Sequence, residues 1–61
     1  MRRSLHAARQ IEKGQTIHRE DVAVLRPYIG IDPWSIKTVV GSTAKEDIEI
    51  GNPITWNAIL S

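Results

Sequence analysis

Apolar residues in this chain come singly or in short groups, each cut off by a glycine, a proline or a few polar residues. No period of 3.6 or 2 persists for long, so the pattern predicts short strands and tight turns rather than long elements. Residues 5–8 read as a modest strand. Gly14 marks a turn, residues 19–21 read as a single helical turn, and residues 22–26 as a strand with Val22 and Val24 on one face. A loop over 27–31 follows. Asp32 before Pro33 is good N-cap and first-turn chemistry. Trp34, Ile36, Val39 and Val40 then fall near helical spacing, and Gly41 stands where a helix commonly ends on a glycine. Residues 33–40 are therefore predicted as a short helix or 3₁₀ turns. Residues 42–45 read as a short strand, Ile48 and Ile54 flank a turn at Gly51, and Thr55 caps a last turn running to Ile59.

The same apolar-glycine pattern occurs twice. Ile11-Glu12-Lys13-Gly14-Gln15-Thr16-Ile17 followed by Val22 matches Ile48-Glu49-Ile50-Gly51-Asn52-Pro53-Ile54 followed by Ile59. Each copy offers an apolar residue, a glycine turn, a second apolar residue and a polar turn ending on an aliphatic anchor. Neither copy can bury a face alone, but two can bury theirs against each other. The expected fold is mostly β: a compact, pseudo-two-fold domain of short strands with 3₁₀ or short helical turns. With no phenylalanine, branched aliphatics must fill the core. The predicted set is Ile11, Ile17, Val22, Val24, Ile31, Ile36, Val39, Val40, Ala44, Ile48, Ile54 and Ile59.

At 61 residues the chain is read as one small domain over 1–61. Its net charge is +1, with basic residues scattered among acids, which argues against a nucleic-acid partner. The longest apolar runs are far too short for a membrane span. Arg2 and Arg3 resemble a secretory basic region, but polar residues interrupt what should follow. The absence of cysteine suits a reducing compartment, and a cytoplasmic location is expected.

Little in the chain can do chemistry. His6 and His18 are twelve residues apart with no third histidine, so each is read as a solvated surface residue rather than a metal ligand. The acidic runs Glu20-Asp21 and Glu46-Asp47-x-Glu49 are read as solvated turns, with Asp21 and Asp47 suited to bonding backbone amides. Trp34 and Trp56 have faces that can stack on a sugar or nucleobase, although partial burial is the plainer reading of both. Arg26 stands apart. It opens Arg26-Pro27-Tyr28-Ile29-Gly30-Ile31-Asp32-Pro33, where two prolines and a glycine shape the loop and present a permanently charged fork of donors.

The order of these features resembles a known family. An R-P-x-x-G-I-x-P loop follows a strand, the I-x-x-G-x-x-I repeat flanks it, and G-x-x-A-x-x-D-I-x-x-G (Gly41 to Gly51) closes the chain. This looks like the antifreeze-like (SAF) domain that ends bacterial N-acetylneuraminate (sialic acid) synthases and related pseudaminic and legionaminic acid synthases. Arg3-Ser4-Leu5 also resembles the start of that domain. The fold implied is the β-clip shared with fish type III antifreeze proteins, in which the matching prolyl bond is cis, making Arg26-Pro27 a candidate cis bond.

The resemblance implies a function as well. In the full enzyme a (β/α)₈ barrel condenses phosphoenolpyruvate with an N-acetylated amino sugar such as N-acetylmannosamine. Its divalent metal, commonly manganese, and its catalytic residues lie in the barrel, so this domain is expected to hold no catalytic residue, metal or cofactor. The terminal domain caps the barrel of the partner subunit in a homodimer. The residue matching Arg26 reaches the acetamido group of the sugar. Tyr28, where the family often has glycine, is placed to narrow the mouth or stack on the sugar, and Trp34 lies beside the loop. The expected substrate-binding set is thus Arg26, Tyr28 and Trp34. Two alternatives follow from the same likeness. One is an ice-binding protein, whose flat face would fall on Gly14, Thr16, His18, Arg19, Glu20 and Asp21, where hydrated charges spoil the plane. The other is a SAF module of a flagellar or pilus assembly chaperone or of a sugar-acid dehydratase.

Overall fold

The computed structural model describes residues 3–60. Met1, Arg2 and Ser61, and with them the first arginine of the secretory-like pair and the ends of the 1–61 domain, lie outside the described residues. Four short strands form two antiparallel pairs: β1 (Ser4–Ala7) with β2 (Val22–Leu25), and β3 (Thr43–Ala44) with β4 (Ile59–Leu60). Between β2 and β3 run the arginine loop, a 3₁₀ turn at Pro33–Ser35 and one turn of helix, α1 (Ile36–Val39). Further 3₁₀ turns, Arg19–Asp21 and Trp56–Ala58, lead into β2 and β4. This is the predicted β-clip.

The repeat governs the backbone. Its two copies are offset by 37 positions, as Ile11 is from Ile48, and the hydrogen bonds obey the same offset. Ile11 and Ile48 exchange both their backbone bonds, at 2.9 and 2.7 Å, and so mark the pseudo-axis. Gly14 N–H donates to the Ala44 carbonyl and Gly51 N–H to that of Ala7, both at 2.8 Å. Ala8 N–H bonds Asp21 and Lys45 N–H bonds Ala58, both at 2.7 Å. The strand pairing Ala7–Val22 is repeated by Ala44–Ile59. Each half lends its turn to the other, which satisfies backbone polar groups that strands this short cannot satisfy alone. Gly14, Gly41 and Gly51 take φ of +88°, +96° and +86°, a region that side-chain-bearing residues rarely occupy.

The core matches the predicted set at Ile11, Ile17, Val22, Ile31, Val39, Ala44, Ile48, Ile54 and Ile59, and adds Leu5, Ala7 and Ala58. Three predicted members differ. Ile36 only packs against the core, Val40 is half-buried, and Val24 is exposed. The reason is the place of each strand. All four residues of β1 are buried, because β2 flanks it on one side while Leu5 and Ala7 bond Ile31, Ile54 and Asn52 on the other. The strand β2 lies at an edge, so its Val24 loses cover. The caps also differ from expectation. Asp32 and Thr55 occupy N-cap positions without a side-chain bond to the turn amides. Instead, Ser35 Oγ donates to Asp32 Oδ2 at 2.7 Å.

Candidate functional site

The arginine loop leaves β2 at an exposed edge and returns to the core at Ile31. The Arg26-Pro27 bond is cis. Beneath the loop, Leu5 N–H donates to the Ile31 carbonyl at 2.9 Å and Ile31 N–H to that of Ile54 at 3.1 Å. Gly30 lies so close to the second half that a Cβ there would overlap the Ile54 carbonyl. With its backbone fixed from below, the loop turns its larger side chains outward. Arg26 is exposed, and its guanidinium makes no hydrogen bond or ion pair with any described residue. Tyr28 is 43% exposed and Ile29 63%.

Trp34 stands beside this loop on the 3₁₀ turn and is 79% exposed, well beyond the partial burial that is the plainer expectation for a tryptophan. It forms one wall of a shallow groove of about 220 Å³ lined by Arg3, Tyr28, Asp32, Pro33 and Trp34. The groove thus brings Tyr28 and Trp34 together and leaves Arg26 outside its lining. It also recruits Arg3 and Asp32, which sequence reading assigned only to a domain-start motif and a helix cap. Two aromatic walls with a cation and a carboxylate form a surface suited to stacking and hydrogen bonding a polar ring. Trp56, half-exposed, does not line the groove.

Other residues do not behave as the sequence suggests. His6 is not a solvated histidine: it is 2% exposed, with Nδ1 3.1 Å from the Gly51 carbonyl oxygen and Nε2 3.1 Å from that of Pro27. His18 is exposed, as expected. Asp21 is buried rather than part of a solvated turn, and so is no member of an outer face over 14–21. It does bond a backbone amide, accepting from His18 N–H at 2.8 Å, and it pairs with Arg9 Nε at 3.4 Å. Asp47 likewise accepts from Lys13 N–H at 2.8 Å. No group of three or more His, Asp or Glu side chains among the described residues is placed to hold a metal ion. No helix among them is long and apolar enough to cross a membrane.

A family model for the SAF domain matches residues 2–60. The chain is 37% identical over 59 residues to N,N'-diacetyllegionaminic acid synthase of Legionella pneumophila, a match that covers 97% of this chain and 17% of the relative. It is 36% and 35% identical over 52 residues to pseudaminic acid synthases from two strains of Campylobacter jejuni, covering 85% of this chain and 15% of each relative. The chain therefore spans about a sixth of the length of the curated relatives it matches.

Proposed function

The chain belongs to the SAF domain family, and from that premise we propose that it is the substrate-capping and dimerising domain of a sialic-acid-type synthase. In this reading the rest of the enzyme is a barrel that condenses phosphoenolpyruvate with an N-acetylated amino sugar, and the divalent metal and catalytic acids belong to it. This domain covers the barrel mouth of a partner subunit. Arg26 donates to the acetamido oxygen of the sugar, orients it, and helps to exclude water at closure. Tyr28 and Trp34 offer ring faces to the sugar or its N-acyl groups.

The observation that carries this reading is the contrast within one loop. Its backbone is tied to the core at Ile31, while the Arg26 side chain is exposed and has no polar partner among the described residues. An arginine that only solvated the surface would not need a loop so firmly held, and an exposed unpaired guanidinium on a rigid support is preorganised for an external acceptor.

The test is Arg26→Ala in the full-length enzyme. A charge-assisted hydrogen bond contributes about 1.5–3 kcal/mol, so KM for the amino sugar should rise by about tenfold or more, with KM for phosphoenolpyruvate within about twofold of the parent. Unchanged sugar kinetics would remove Arg26 from the site.

A further inference from the structure

Beneath the arginine loop lies a buried polar pair that the proposed function does not use. Ser4 is fully buried and His6 nearly so. Ser4 Oγ donates to the Pro27 carbonyl at 3.0 Å and accepts the N–H groups of Ile29 and Gly30 at 3.2 and 3.3 Å. It also lies 3.1 Å from His6 Nε2. His6 Nε2 is 3.1 Å from the same Pro27 carbonyl, and Nδ1, which faces only an acceptor, donates to the Gly51 carbonyl at 3.1 Å. Two side chains on β1 thus gather three polar points of the loop and tie them to the Gly51 turn.

The pseudo-symmetry shows that the strand pairing does not demand a histidine at position 6. Under the offset of 37 positions, Ser4 corresponds to Gly41 and His6 to Thr43. The second half pairs Thr43 with Leu60 as the first pairs His6 with Ala23, while Gly41 lies outside its strands. In the first half the arginine loop lies directly against these two side chains. Burying a hydroxyl and an imidazole is unfavourable unless their bonds are made, and here those bonds go to the loop.

We infer that Ser4 and His6 are positioning residues for the arginine loop, fixing the direction in which Arg26 leaves the domain. The first consequence concerns the loop alone; the second, on substrate, rests on the capping reading above. The His6 ring lies between the two sides, so conservative variants separate its Nδ1 contact with Gly51 from its Nε2 contacts with Ser4 and Pro27. In His6→Gln the side-chain amide reaches the ε position and can still meet Pro27. In His6→Asn it reaches only the δ position and the Gly51 bond.

The experiment begins with amide hydrogen exchange on the chain itself. Ser4→Ala should speed exchange at Ile29 and Gly30 by about tenfold while Ile11 and Ile48, paired across the pseudo-axis, keep their rates. His6→Asn should do the same, and His6→Gln should retain loop protection. Unchanged loop amides, or equal acceleration everywhere, would overturn the inference. If Ser4→Ala fails to fold, the His6 pair decides alone.

The second arm uses the full-length enzyme with Arg26→Ala as reference. Ser4→Ala and His6→Asn should raise KM for the amino sugar several-fold and His6→Gln should restore it. A rise for Arg26→Ala with none for Ser4→Ala would refute positioning for substrate. No rise for Arg26→Ala would instead refute the capping reading, while the exchange result still stands or falls by itself.

Discussion

The half of the molecule around Gly14 and the half around Gly51 share one scheme of backbone bonds, yet they bury different side chains. Where the first half places Ser4, His6 and Asp21 inside, the second has Gly41, Thr43 and Ala58 at the corresponding positions. The backbone scheme is therefore sufficient for the fold, and the polar groups answer to local demands of the first half. Two of them meet the loop. The third, Asp21, holds the turn that leads into β2, the strand from which Arg26 emerges. Symmetry makes the scaffold, and departures from symmetry lead to the side of the molecule that carries the candidate site.

The largest expected effect lies at the seam between the loop and the second half. In Gly30→Ala the added methyl meets the Ile54 carbonyl and comes within 3.3 Å of Pro53 Cβ. Backbone atoms cannot rotate away, so the substitution should cost about 3 kcal/mol. A chain of this length has roughly 3–9 kcal/mol in total. Denaturant unfolding would show it, and a loss below about 0.5 kcal/mol would mean that the loop is not seated on the second half.

Next comes the turn that differs between the halves. Asp21→Ala installs the residue that the second half uses. It removes the acceptor of His18 N–H and the partner of Arg9 and should cost about 1–2 kcal/mol by thermal unfolding. A neutral result would show that the Asp21 turn needs its carboxylate no more than the Ala58 turn does. A symmetric pair of changes sharpens the comparison. Gly14→Ala and Gly51→Ala put a side chain at positive φ with nothing within 4 Å of it, so each should cost about 1 kcal/mol through the backbone alone. Costs that differ by more than about 0.5 kcal/mol would show that the two halves are not energetically equivalent.

The turns were legible in the sequence because their chemistry is local: a glycine at positive φ and an aliphatic anchor on either side announce themselves within seven residues. The repeat added the pairing of distant halves, since matching residues such as Ile11 and Ile48 meet each other. Burial on β1 was not legible. Ser4-Leu5-His6-Ala7 alternates polar and apolar residues, the pattern of a half-buried strand, yet all four are buried, and the groups that satisfy Ser4 and His6 lie 21 to 45 residues away. The site shows the same division. Tyr28 and Trp34 stood out beside the prolines that shape their loop. Asp32 lies next to them in sequence, but Arg3 joins only because residues near the start of the chain cross to the head of the 3₁₀ turn, which no local pattern encodes.

The smallest expected effect is also the one that separates scaffold from site. Arg26 and Trp34 touch little of their own domain: the guanidinium has no polar partner among the described residues, and the indole is 79% exposed. A side chain kept for the fold would lose contacts on truncation, and one kept for an external partner would not. Arg26→Ala and Trp34→Ala should therefore each leave the unfolding free energy of the chain within about 0.5 kcal/mol of the parent. The same changes at the buried, loop-facing Ser4 and His6 should lower it by about 1–3 kcal/mol, because truncating either leaves buried polar groups unpaired. If Arg26→Ala destabilised the chain as much as Ser4→Ala does, its guanidinium would be part of the scaffold and would not be spare for a substrate.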